Sequence, residues 1–138
     1  MMRPSFLRDE SGATMVEFAI VLPVLCIFIF GAIDFGRALK VYNNLSAAAR
    51  DGARYGAAQP TPLNDAAILA RTQAVFQDGM GMTLPAAKLQ VYKDETLGTG
   101  FVEVRINNYE YDPWTPLPAA DALTFNIRAR FRQEVIAP

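Results

Sequence analysis

The residue with the clearest potential for a specific chemical role is Glu17, a carboxylate inside an otherwise apolar stretch near the N-terminus. Phe18 to Ile33 carry no charge, and from Ala13 to Ile33 the only ionisable acid or base is Glu17. A charge at the edge of membrane hydrocarbon is costly unless it is paired or protonated, which indicates a functional partner. The alternative is a carboxylate that reaches back to the lipid headgroup layer, and Glu17 alone does not separate the two.

Few other residues suit catalysis. The sequence has no histidine and one cysteine, Cys26, which lies inside the apolar run, so it offers neither a His-based triad nor a Cys-ligated zinc site. Ser46 is the only serine beyond the apolar stretch, and the adjacent acids Asp94 and Glu95 are explained by solvation at a strand end. We therefore expect no enzyme activity, no cofactor and no metal, with an anchored hydrolase as the weakest alternative. The net charge of −1 gives no indication of nucleic-acid binding.

The apolar stretch predicts a single transmembrane helix over residues 13–33. Roughly 20 apolar residues cross a bilayer core of about 30 Å, and membrane helices tolerate a proline such as Pro23. A cleaved secretory signal is disfavoured because the apolar run exceeds the usual length and no small-residue cleavage site follows it promptly. Basic residues are nearly balanced on the two sides of the span, so they do not decide its orientation. Because the span lies at the start of the chain, we expect the C-terminal part to lie outside the cytoplasm.

The residues around Glu17 suggest how the N-terminus is processed. In RDESGATMVEFAIVLP, Gly12 ends a short polar leader, Glu17 is the fifth residue after it, and the aromatic Phe18 follows. This pattern resembles the processing site of type IV prepilins, particularly the Tad (Flp-type) version. The resemblance implies a leader of residues 1–12, cut between Gly12 and Ala13 by a membrane-embedded prepilin peptidase. It further implies that Glu17 recruits subunits by pairing with a neighbour's N-terminal amine, and that Phe18 packs in a filament core. The alanine at the first mature position departs from the best-known pilins, which carry a methylated phenylalanine there.

Three blocks in order, VEFAIVLPVL, DFGRAL and AARDGARYG, resemble the TadE-like family over residues 12–57. The resemblance implies a minor pilin or pseudopilin of a Tad-type pilus that acts in pilus initiation, assembly or tip formation. Its expected partners are prepilin peptidase, other major and minor pilins, the inner-membrane assembly platform and membrane lipid. The expected location is the bacterial inner membrane, with the C-terminal domain periplasmic or extracellular. The alternative is a permanently anchored periplasmic scaffold or binding module that enters no filament.

Beyond the span, the sequence predicts that the helix continues over residues 34–58. The composition suits a helix, and no proline occurs between Pro23 and Pro60. Small residues one turn apart, which let another backbone approach closely, occur at Ala48, Gly52 and Gly56. They could pack against a neighbouring pilin helix, but packing within the same domain is favoured because this part lies outside the membrane.

Residues 59–138 predict a small α+β domain of pilin-like architecture. A second helix is expected with Thr61 as its N-cap and Pro62 at its first position, an apolar face running from Ile68 to Phe76, and glycines at its end. Alternating residues then predict three short antiparallel strands around Leu89–Lys93, Val102–Asn107 and Leu123–Arg132. One apolar face of this sheet would be covered by the two helices.

Two features of the predicted domain could bind a partner. Arg128, Arg130 and Arg132 share one strand face and could meet an acidic partner, although a solvated face moderated by Glu103 or Glu134 is favoured. Trp114, in the proline-rich connection DPWTPLPAAD, could anchor an interface or cap the edge of the core, and the sequence does not decide between these.

Overall fold

One long helix links the apolar segment to the C-terminal domain. The computed structural model describes residues 10–60, 62–96, 100–114 and 123–133. Its elements in chain order are α1 (Glu10–Ala57), α2 (Asp65–Met80), a short 3-10 turn (Ala86–Lys88), β1 (Leu89–Asp94), β2 (Phe101–Tyr111) and β3 (Leu123–Arg132). The 48 residues of α1 form a rod of about 72 Å at 1.5 Å per residue, more than twice the thickness of a bilayer core.

The second half of α1 forms the centre of the domain core. Its buried positions recur every three or four residues, which is the spacing of one helical face. This face consists of Ala38, Val41, Leu45, Ala48, Ala49, Gly52, Ala53, Gly56 and Ala57. By contrast, the side chains from Gly12 to Ile33 are exposed, apart from Cys26 and Gly31, which are partly buried. The helix therefore has a free half and a packed half.

Helix α2 begins later than the sequence indicated. The N-cap is Asn64, whose Oδ1 accepts a hydrogen bond from the Ala67 backbone N–H at 3.2 Å, and the first helical residue is Asp65. The prediction of Pro62 at the first helical position was therefore wrong, because Asn64 is a strong cap closer to the apolar face. Thr61, the predicted cap, lies outside the described residues. The helix ends as expected, at Gly81 in the left-handed conformation (φ 69°).

The three strands form an antiparallel sheet in the order β1-β2-β3, which confirms the predicted α+β fold. Helix α1 packs on β2 and β3, while α2 packs on α1 and borders β1. Large fully buried side chains fill the space between these layers: Phe76, Leu45, Ile68, Leu84, Ile106, Val102 and Val104. The turn predicted at Leu97–Gly100 falls largely outside the described residues, as does most of the connection after Trp114.

A β-bulge lengthens β2 beyond its predicted end. Two residues of β2, Asn107 and Asn108, lie opposite the single residue Asn126 of β3. The Asn108 backbone N–H donates to Asn126 Oδ1 at 3.0 Å, and Asn108 has a φ of 51°, a conformation that asparagine tolerates better than most residues. The extra residue reverses the alternation of side chains. As a result, Tyr109 and Tyr111 turn inward toward the helices instead of outward.

Candidate functional site

The predicted cleavage site lies in the first turns of α1. Gly12 and Ala13 are exposed, and a Cβ added at Gly12 would meet no atom within 4 Å. Packing within the chain therefore does not explain why glycine occupies position 12. A small residue before a scissile bond lets the backbone enter a narrow active site, so a glycine at this position is consistent with cleavage by an external enzyme.

Glu17 and Phe18 lie one turn further along, on the free half of the helix. Glu17 is exposed and makes no hydrogen bond or ion pair to any residue that the structure describes. Phe18 is 62% exposed. A carboxylate at the edge of an apolar span is costly unless it is paired, protonated or extended to the headgroup layer. This arrangement can therefore recruit a positive group.

The surface around Glu17 is apolar over the whole span. The best 18-residue window of α1 has a mean hydropathy of 2.6 and is not buried by the rest of the chain. Exposed large side chains cover it on all sides, among them Met15, Ile20, Val21, Phe28, Phe30 and Ile33. This one N-terminal helix is long and apolar enough to cross a membrane, which indicates membrane anchoring.

The small residues at the other end of α1 pack within the chain. Ala48 is fully buried, and a Cβ at Gly56 would come within 2.7 Å of Ile68 Cδ1 and 2.9 Å of Val102 Cγ1. A Cβ at Gly52 would overlap the Thr72 hydroxyl of α2. This face is therefore covered by α2 and β2 of the same chain. A neighbouring helix cannot use it while the domain is folded.

Comparison with protein families gives a match over most of α1. The family described as TadE-like protein matches residues 12–54, about a third of the 138 residues. This segment is TadE-like. The match confirms the resemblance seen in the sequence and indicates a protein associated with Tad pili. Searches of curated proteins and of solved structures gave no significant match.

The matched segment contains the predicted cleavage site, Glu17, Ala48 and Gly52, but neither Gly56 nor the arginines of the sheet. Glu103 lies on the outer face of the sheet, the face turned away from the helices. It is nevertheless buried, with only 3% of its surface exposed. Arg105 and Arg130 both pair with it, and the Arg130 Nη2 lies 2.5 Å from Glu103 Oε2. Each guanidinium also stacks on an aromatic ring, Arg105 on Tyr92 at 3.9 Å and Arg130 on Phe101 at 4.2 Å. These rings and arginines cover the carboxylate.

The charge of Glu103 depends on these two arginines. Burial alone raises the pKa of the Glu103 carboxyl, but hydrogen bonds and charge from Arg105 and Arg130 outweigh it, so the pKa lies below its ordinary value. Because the pKa is lowered, the ionised Glu103 and its two arginines stabilise the fold at neutral pH. This stabilisation is lost as the pH falls through the pKa of Glu103. Sequence alternation placed Glu103 on a solvated face, and only the strand register reveals its burial.

The three arginines of the predicted row occupy different positions on β3. Arg130 pairs with Glu103, and Arg128 and Arg132 lie opposite Arg105 and Phe101, respectively. The ion pair with Glu103 accounts for the charge of Arg130. Binding of an acidic partner by this face of the sheet stays a prediction. In the part of the chain that the structure describes, no group of three or more acids, cysteines or histidines is arranged to hold a metal ion.

Trp114 lies beside the first turn of α1 beyond the span. It is 79% exposed, so it does not cap the edge of the core. Its backbone N–H donates to Asp34 Oδ1 at 3.1 Å, and the guanidinium carbon of Arg37 lies 5.5 Å from the ring centroid. The exposure of Trp114 contradicts the second interpretation of the sequence, a cap on the core, while the interface role stays a prediction.

Proposed function

We propose that this protein is a minor pilin or pseudopilin of a Tad-type pilus system, cut by prepilin peptidase between Gly12 and Ala13. The observation that carries the proposal is the exposed carboxylate of Glu17, which has no partner among the described residues. It lies five residues after Gly12 on an apolar helix with a TadE-like sequence. The protein acts in pilus initiation, assembly or tip formation. Its role is structural and not enzymatic.

Cleavage creates the partner that Glu17 lacks. The new N-terminal amine at Ala13 is a cation on the same apolar helix, one turn before Glu17. When two such helices pack with a stagger, the amine of one subunit neutralises the carboxylate of the next. Each charge is costly in a low-dielectric surrounding, and pairing offsets this cost while it sets the register between subunits.

The exposed surface of the span supports the same proposal. Phe18, Phe28 and Phe30 project from the helix without a partner in the described part of the chain. In the membrane, lipid covers these side chains; in a filament, the spans of other major and minor pilins replace the lipid. An inner-membrane assembly platform would transfer the subunit between the two surroundings. The packed half of α1 holds the periplasmic or extracellular domain during this transfer.

The proposal is tested by complementation of a host strain from which the gene has been deleted. We expect the deletion strain to lose most of its Tad pili and the full chain to restore them. The matched control keeps the outer domain but replaces residues 13–33 with an unrelated apolar transmembrane helix, so that anchoring is kept and the TadE-like surface is removed. Counts of pili by electron microscopy should stay low with this control. Full restoration by the control would favour a permanently anchored scaffold, and unchanged pili in the deletion strain would contradict both accounts.

A further inference from the structure

The outer domain is attached to α1 at the point where the helix leaves the apolar span. Asp34, the first residue after the span, is 8% exposed. Its side chain accepts a hydrogen bond from the Trp114 backbone N–H at 3.1 Å, and its carbonyl oxygen accepts one from the Tyr111 hydroxyl at 3.4 Å. The connection that leaves β2 is therefore fixed at the height of Asp34 along the helix.

This height coincides with the expected membrane surface. The 21 residues of the span, 13–33, are about 32 Å long at 1.5 Å per residue, which matches a hydrocarbon core of about 30 Å. Asp34 therefore lies at one boundary of the core. Trp114 is held to Asp34 by the hydrogen bond of its own backbone, so its ring lies within a few ångströms of the same boundary. Trp and Tyr are the side chains enriched at this depth.

The exposed apolar side chains at this end of the domain suit contact with a lipid surface. Phe35 is 72% exposed, Leu39 is 48% exposed and Met82 is 53% exposed, and none of these three is required by the core. Met82 lies at this end because α2 runs antiparallel to α1, with Thr72 next to Gly52 and Gly79 next to Asn44. The end of the domain that faces the membrane therefore exposes apolar side chains.

Basic groups lie at the same end. Arg37 contacts the Trp114 ring, and Lys40 follows one turn later; together they line a groove of about 340 Å³ with Met80, Met82 and Tyr111. Acidic groups there are mostly engaged: Asp34 accepts the Trp114 N–H, and Glu110 pairs with Lys88 at 3.4 Å. Asp112 is the exposed exception. Arg37 and Lys40 can thus reach lipid phosphates while the ring enters the headgroup layer.

We propose that Trp114 anchors the outer domain to the surface of the bilayer that holds the span. The indole lies at the boundary between headgroups and acyl chains, and Arg37 contacts both the ring and the phosphates. The anchor then fixes the tilt and rotation of α1, and of the domain packed on it, relative to the membrane surface. This proposal requires only that α1 spans a membrane; it does not depend on processing or on the pilus.

The anchor can be tested directly because Trp114 is the only tryptophan in the chain. The full chain is reconstituted into phospholipid vesicles whose acyl chains carry bromine either near the headgroup or near the bilayer centre. We expect a blue-shifted emission, strong quenching by the shallow bromines, weaker quenching by the deep ones, and little quenching by aqueous iodide.

Two matched variants calibrate the depth. Trp114→Phe combined with Tyr92→Trp places the tryptophan on the outer face of the sheet near the far end of the domain, roughly 30 Å from the membrane surface. Iodide should quench it and brominated lipid should not. Trp114→Phe combined with Phe28→Trp places the tryptophan within the span, where deep bromines should quench most. Quenching of Trp114 by iodide without quenching by shallow bromines would overturn the proposal, because the ring would then lie in water. Quenching by neither probe would overturn it too, and is the result expected if Trp114 is buried against a second copy of the protein. Loss of deep quenching at position 28 would overturn it as well, because the span would then not be inserted.

Discussion

Glu17→Ala is expected to leave the chain stable and cleaved after Gly12, but unable to support pili. The Glu17 side chain has no partner among the described residues, so its loss removes nothing from the outer domain. In an assembled filament, however, the variant leaves the N-terminal amine of a neighbour without its counter-charge. Removing one partner of a buried ion pair costs about 3–5 kcal/mol, equivalent to about a hundredfold or more in an assembly equilibrium. Piliation and the mass of the mature protein are measured in the same cells.

Two further variants separate the effect of the Glu17 charge from that of its shape and of its position in the chain. Glu17→Gln keeps the shape of the side chain and removes its charge, so it should fail as Glu17→Ala does. Glu10→Ala removes a carboxylate from the predicted leader, which is absent from the mature protein, and should support normal piliation. Normal pili with either Glu17 variant would show that the carboxylate does not recruit subunits.

Gly52→Val should destabilise the outer domain by about 3 kcal/mol. A Cβ at this position would overlap the Thr72 hydroxyl and lie 3.2 Å from Thr72 Cβ and 3.5 Å from the Ile68 carbonyl oxygen. Thr72 is fully buried, and its hydroxyl donates to that same carbonyl oxygen at 2.9 Å, so it has little room to move. Overpacking of a core typically costs about 1–3 kcal/mol, and valine adds two methyl groups beyond Cβ. For a domain of this size, we expect a loss of roughly 10–20 °C in Tm.

The matched control is Gly36→Val, on the same helix, where an added Cβ would meet no atom within 4 Å. Its Tm should stay close to that of the unchanged protein, as measured by thermal unfolding in detergent. Thr72→Ala removes the group that an added Cβ would overlap, so it should restore part of the stability lost in Gly52→Val. Equal melting temperatures for the two valine variants would contradict the packing of α1 on α2.

The sequence predicted the large elements well because their signals are local. An uninterrupted apolar run indicates a span, and period-two alternation from Leu123 to Arg132 indicates a strand. The helix continuation beyond Ile33 also followed from local composition and the absence of proline. The α+β fold, with two helices on a three-stranded antiparallel sheet, is confirmed.

The details that the sequence analysis missed depend on competition between nearby residues for one structural position, or on contacts between residues far apart in the chain. The sequence predicted Thr61 as the cap of α2, whereas the cap that forms is Asn64, which lies closer to the apolar face of the helix. The bulge had a local signal in the Asn107–Asn108 pair, since asparagine tolerates positive φ. The burial of Glu103 had no such signal. It depends on the register that places Arg130 opposite Glu103 and on the rings that cover both.

The residues of the candidate site also divide into those that have a local sequence signal and those that depend on distant contacts. Gly12, Ala13, Glu17 and Phe18 were proposed from the resemblance to a prepilin processing site, and the structure places all four on the exposed half of α1. The contact between Trp114 and Asp34 joins residues 80 positions apart. No local pattern could have shown that Trp114, at the start of the proline-rich connection, lies beside the end of the span.

The measurement that tests the account most directly is the mature N-terminus. The full chain is expressed in its host with and without prepilin peptidase, and its intact mass and N-terminal peptide are determined. The account predicts a protein that begins at Ala13 when the peptidase is present and an uncut chain when it is absent. A chain that begins at Met1 or Met2 in both strains would contradict processing and would leave a permanently anchored periplasmic binding module as the better account.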